Sequence, residues 1–299
     1  MADDEEPSIE QTTPRPAAGT FVMQKIQNHG ASNPIVARLC MQTMELVKMI
    51  KIPEDEQKRI LMIYLDLHQK LLQCYEIQQR LQAADEATLS ETEKHLTAGH
   101  RTVPFLVGLE NESEAFLYAA KNYLRELVRV VNAIYGTGFP INSSIFWDDK
   151  EAGNSDLVVW ARKLFGDSSP HTRMLEEEDH WISELIRKRN AVEHPGGKSG
   201  TLLFENYTVR DGRLYGPNWR REGKSSCPAS GVLQDIEVYL ENLLTLAEDL
   251  LVEGVALNPV SELLVVQYIP PDQRNPAAPV RLRIGFNPQL VPPLPSKSG

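Results

Sequence analysis

Trp181-Ile182-Ser183-Glu184-Leu185-Ile186-Arg187-Lys188-Arg189-Asn190-Ala191-Val192-Glu193-His194-Pro195-Gly196-Gly197 is the stretch on which a reading of this 299-residue chain turns. At about 100° per residue, Ile182, Leu185, Ile186 and Arg189 fall in one sector of a helical wheel. The spacing predicts a helix with a buried face. It also puts a guanidinium on that face, where it is costly unless paired or lining a cleft. Pro195 biases His194 away from α geometry, and Gly196-Gly197 complete the break. The helix, expected over 172–193, opens on acids (Glu176 to Asp179) and closes on Arg187-Lys188-Arg189, the order its dipole favours. His194 is then expected just past the last turn, free to point back toward Arg189.

An arginine and a histidine so placed suit a phosphodiester. The guanidinium is permanently charged and grips phosphate oxygens in pairs. The imidazole titrates near neutrality and can pass a proton to or from a ribose hydroxyl. RNA brings its own nucleophile, the 2′-hydroxyl, so this chemistry calls for no metal and no other cofactor. The surrounding charge fits such a ligand. From Arg187 to Lys224 there are nine basic residues against four acidic ones, a +5 island in a chain of net charge −10. Arg187, Lys188, Arg210, Arg213, Arg220 and Arg221 are the candidate RNA contacts, with Tyr207, Tyr215 and Trp219 interleaved for stacking.

Further out, apolar residues at helical spacing predict long helices on both sides. One runs from Leu109 to Tyr135 and stops at Gly136; another spans about 230–253; a shorter one covers about 155–165. Residues 33–50 read as a helix presenting Ile35, Leu39, Met41, Met44, Leu46 and Val47. A second N-terminal helix from Pro53 to about Ala84 carries the stripe Ile60, Tyr64, Leu67, Leu71, Cys74 and Leu81. Two β-rich segments interrupt the helices. Around Asp211-Gly212, residues 201–217 read as a hairpin, and 263–269 with 280–286 as another.

Arg189-Asn190-Ala191-Val192-Glu193-His194 resembles the Arg-x4–6-His motif of the HEPN superfamily, in the form with Asn directly after Arg. The resemblance covers Pro104 to Gly254 and implies an up-and-down helical bundle. By that resemblance Arg189 and His194 are catalytic and Asn190 orients the site or holds the phosphate. The chain is then a metal-independent endoribonuclease, a toxin or phage-defence effector acting as a homodimer, with an antitoxin or regulatory protein as partner. Family members often add a polar side chain from the first long helix, for which Ser113, Glu114 and Lys121 are the candidates. The hairpin at 201–217 departs from the family pattern as an insertion behind the motif. The rival expectation is a non-catalytic helical module that binds a protein or a nucleic acid without cutting it.

The expected organisation is mainly α: an acidic disordered tail (1–20), an N-terminal helical region (21–103), the HEPN-like domain (104–254), and a C-terminal hairpin with a Pro-rich tail (255–299). Hydrophobic residues make up 41% of the chain, enough for a sizeable core. The three cysteines have neither the number of a disulfide framework nor the spacing of a zinc knuckle. No apolar run reaches membrane-spanning length, and the start, Met1-Ala2-Asp3-Asp4-Glu5-Glu6, lacks the basic-then-apolar character of a signal peptide. A cytoplasmic protein without membrane association is expected.

Overall fold

The structure is a computed structural model and describes residues 28–147, 155–223 and 226–290. The acidic tail expected at 1–20 lies outside the described residues, as does Lys224. The fold is mainly α. Asn33 accepts a hydrogen bond from Ile35 N at 2.9 Å and opens the first helical run, with Pro34 at its first position. That run starts as α1 (Pro34–Val36), widens into a π-helical stretch (Ala37–Gln42), and continues as α2 (Thr43–Leu46) and a 3₁₀ turn (Val47–Met49).

The helix α3 (Glu54–Thr97) begins on Glu54, Asp55 and Glu56, which complement its positive end. All six apolar stripe residues read from the sequence are buried along it. It runs 13 residues past the expected end at Ala84. Beyond Leu81 the apolar stripe stops, but no glycine or proline breaks the chain until Gly99 in the left-handed region. Helix α4 (Leu109–Tyr135) spans the expected residues between Gly108 and Gly136, both left-handed. The helix α5 (Asp156–Phe165) is capped by Ser155, and α6 (Pro170–Glu193) ends at the motif.

Helix α7 (Val232–Leu257) closes the core, packing against α3, α4 and α6. Three tyrosines tie it down: Tyr64, Tyr123 and Tyr135 donate to the carbonyls of Ala247, Leu243 and Leu250 at 2.6, 3.1 and 2.8 Å. Each phenol thereby keeps a partner inside an otherwise apolar contact.

The β insertion between α6 and α7 is larger than the hairpin expected at 201–217. Five strands occupy it: β1 (Thr201–Glu205), β2 (Thr208–Arg210), β3 (Arg213–Tyr215), β4 (Asn218–Glu222) and β5 (Cys227–Gly231). Asp211 (φ 51°) and Gly212 (φ 71°) turn β2 into β3, with both residues left-handed as a tight two-residue hairpin requires. β1, however, pairs with β4, Thr201 opposite Glu222 and Phe204 opposite Trp219, and β4 pairs on with β5. Burial of Trp219, fully inaccessible against Phe204, fixes that register.

The C-terminal strands β6 (Leu264–Tyr268) and β7 (Leu282–Phe286) form the second expected hairpin, Leu264 opposite Phe286. It docks on the first helical run, where Gln42 Oε1 accepts from the backbone N–H groups of Arg281 and Leu282 at 2.8 and 2.7 Å. Among the described residues no helix is long and apolar enough to cross a membrane.

Candidate functional site

Helix α6 delivers the motif. Its last hydrogen bond runs from His194 N to Asn190 O at 2.9 Å, and His194 then leaves the helix at φ −132°, ψ 67°. Pro195 forbids another turn. Gly196 adopts a positive φ, and Gly197 sits so close that a Cβ there would come within 2.9 Å of the His194 carbonyl. The chain folds tightly behind His194 and leaves its side chain 72% exposed.

Arg189, one and a half turns back, is 14% exposed. The wheel placed it on a buried face, and it is there with the expected compensation. It stacks on Tyr118 of α4 at 5.0 Å from the ring centre, approaches Asn190 Oδ1 at 3.4 Å, and donates to Glu193 Oε1 at 2.8 Å. Its Nε is buried without a hydrogen-bond partner. Burial lowers its pKa, opposed by the nearby Tyr118.

Arg189, Asn190, Glu193 and His194 line one surface cleft of about 280 Å³ together with Lys121, Trp147, Lys198 and Ser199. Lys121 crosses from α4 and donates to Asn190 Oδ1 at 3.1 Å. Burial, together with the Arg189 charge, lowers its pKa to about 8. Of the three α4 candidates, Lys121 is the one in this cleft. Ser113 is buried two turns away on its own Leu109 carbonyl at 2.6 Å, and Glu114 sits beside it on the helix, its carboxyl pushed up by burial and by Glu110. Glu193 was not singled out for the site. Its four-residue spacing from Arg189 was the available signal.

The expected RNA contacts separate into two groups. Lys188 and Arg221 are interior residues, each 2% exposed, which corrects their assignment to a nucleic-acid surface. Lys188 Nζ donates to Asp235 at 3.1 Å and to Tyr239 at 3.0 Å and lies over the Trp219 ring. Burial opposes its charge, but Tyr239, Asp235 and Glu184 outweigh it and its pKa is raised. Arg221 grips Glu184 with two bonds, 2.9 and 2.6 Å, and donates to the Ser199 carbonyl at 2.9 Å. It thus anchors the loop that follows His194 to α6. A buried cation so held cannot leave for a phosphate without stranding its partner carboxylate. Arg187 is half-buried on α6. Arg210 pairs with Glu205 and Arg220 with Glu222 on the strands, and Arg213 is exposed at the hairpin turn. None of these four lines the cleft.

Among the described residues no group of three or more His, Cys, Asp or Glu side chains is placed to hold a metal ion. No family model matches the chain, and no match was found among curated proteins or among solved structures.

Proposed function

We propose that this chain is an endoribonuclease of HEPN type that cleaves RNA without a metal. The observation that carries the reading is the convergence of Arg189, Asn190 and His194 on one cleft, joined there by Lys121 from a second helix. In the proposed reaction His194 accepts the proton of the ribose 2′-hydroxyl as that oxygen attacks the adjacent phosphorus. The P–O5′ bond breaks, giving a 2′,3′-cyclic phosphate and a 5′-hydroxyl. Arg189 stabilises the extra charge on the pentacovalent phosphorus. Lys121, a nearby ammonium with a lowered pKa, returns a proton to the leaving 5′-oxygen. The reading extends to a homodimer with facing motifs and to a toxin or phage-defence role held in check by a protein partner.

A second reading, a module that binds RNA or protein without cutting it, is favoured by one observation: Arg189 is engaged by Glu193 rather than left open. The discriminating experiment incubates the purified chain with mixed RNA in EDTA and follows fragments and their ends. Cleavage to cyclic phosphates that drops about a hundredfold or more in His194→Ala and Arg189→Ala supports the nuclease. Equal rates in wild type and His194→Ala overturn it, and retained RNA binding without cleavage supports the module.

A further inference from the structure

The anion seat between Arg189 and His194 is already filled from within. Glu193 Oε1 accepts from Arg189 at 2.8 Å, and Oε2 pairs with the same guanidinium. That Oε2 also lies 3.5 Å from His194 Nε2. One carboxylate therefore bridges the two groups assigned above to a single phosphate. The helix supports it only through the four-residue spacing from Arg189, since an acid in the last turn faces the negative end of the dipole. A further cation, Lys121, lines the same cleft and donates to Asn190.

Building on the reading of this cleft as a phosphodiester site, we infer that Glu193 is an internal stand-in for phosphate. It closes the site at rest and reserves it for a ligand with several phosphates. Glu193 is about one-third exposed, so rotation of its side chain toward solvent frees the guanidinium while Tyr118 and Asn190 keep Arg189 in place. The displacement costs the same free energy for any anion that takes the seat. A single phosphate has only that seat to offset it. A single-stranded oligonucleotide also brings a flanking phosphate for Lys121, held at high effective concentration by the first contact.

The test titrates calorimetrically inorganic phosphate and a 2′-O-methyl oligoribonucleotide, which the proposed reaction cannot cleave, into wild type, Glu193→Gln, Glu193→Ala and the reference variant Glu54→Gln. Glu54 is a carboxylate 80% exposed at the start of α3 and outside the cleft, so its loss matches the change in net charge and otherwise breaks only a surface pair with Lys58. Both Glu193 variants should bind phosphate at least tenfold more tightly than wild type and tighten on the oligonucleotide by a similar factor, with Glu54→Gln within twofold of wild type. Unchanged phosphate affinity in the two Glu193 variants, or an equal gain in Glu54→Gln, overturns the inference. RNA cleavage in EDTA is followed in parallel. Tighter phosphate binding with no cleavage by any form keeps the stand-in and overturns the nuclease. Lost cleavage with unchanged phosphate affinity makes Glu193 a participant in proton transfer and overturns the stand-in.

Discussion

Arg38 and Glu248, 210 positions apart in the chain, form an ion pair inside the core in which both side chains are almost wholly inaccessible. Arg38 Nε donates to Glu248 Oε2 at 2.9 Å, and Gln42 donates to Oε1 at 2.7 Å. Arg281 approaches the same carboxylate at 3.2 Å while pairing with Asp249 at 2.7 Å. One carboxylate on α7 thus holds together the first helical run and the C-terminal hairpin. Glu248→Ala would leave two guanidinium groups without their shared partner. The expected loss is about 3–5 kcal/mol of stability, read from urea unfolding. Replacing Arg38 and Glu248 together by methionine and leucine should lose less than the sum of the single changes, because no lone buried charge remains at that pair.

The packing of α7 on α4 sets a second expectation. In an exposed helix interior, Gly→Ala gains about 1 kcal/mol. Gly254 lies against Ile134, and an added Cβ would overlap the Ile134 Cγ2 methyl, with Ile50 Cδ1 at 3.6 Å. A β-branched side chain has little freedom to turn away. Gly254→Ala should therefore destabilise by about 1–3 kcal/mol, measured as a lower melting temperature. Combining it with Ile134→Ala should recover part of the loss.

Lys121 gives the cleft a signature in pH. Its pKa falls from 10.5 to about 8 on folding, so between those values the unfolded chain binds the extra proton and stability rises with pH across that window. Unfolding midpoints of wild type and Lys121→Met should diverge over that interval, with the rise missing from the variant. Arg189→Gln removes one of the two causes of the shift. The Lys121 amine should then titrate higher, a change visible in the NMR shift of its Cε.

The basic residues of the insertion should behave in two ways. Lys188→Ala and Arg221→Ala each take the main cation from a partly buried carboxylate, Asp235 and Glu184, and should lower unfolding stability by about 1–3 kcal/mol. Arg213→Ala, on the exposed turn, should leave the melting temperature within about a degree and, if RNA crosses the hairpin, lower the slope of log affinity against log salt by about one. Filter binding at several salt concentrations, beside thermal unfolding of the same samples, separates the two behaviours.

How much of this was legible in the sequence depends on whether the deciding interaction is local. Helix α4 was readable residue by residue because a wide apolar face and the glycine that stops it, Gly136, are local signals. The end of α6 was readable for the same reason, since Pro195 acts on its immediate neighbour. The final turns of α3 were missed because a helix can continue on propensity after its buried stripe ends. The pairing of β1 with β4 rests on Trp219 entering the core, a long-range event with no local mark. Charge misled in one direction. Lys188 and Arg221 look like surface cations until Asp235 and Glu184 are known to face them. In the cleft, Arg189 and His194 were named from their places at a helix end and Asn190 from the resemblance, whereas the choice of Lys121 over Ser113 and Glu114 needed the crossing of α4 and α6.

The π-helical stretch at 37–42 has a bearing on how this chain can change. It carries Arg38 and Gln42, both 2% exposed, while Met41 and Met44, expected to contribute to the apolar face, lie 44% and 45% exposed. A π turn holds one residue more than an α turn. Rewinding the same six residues to regular α bonding would swing everything upstream by about a third of a revolution and pull Arg38 off its carboxylate. The locally smoother helix would be the globally poorer protein, so the irregularity is kept by partners more than two hundred positions downstream.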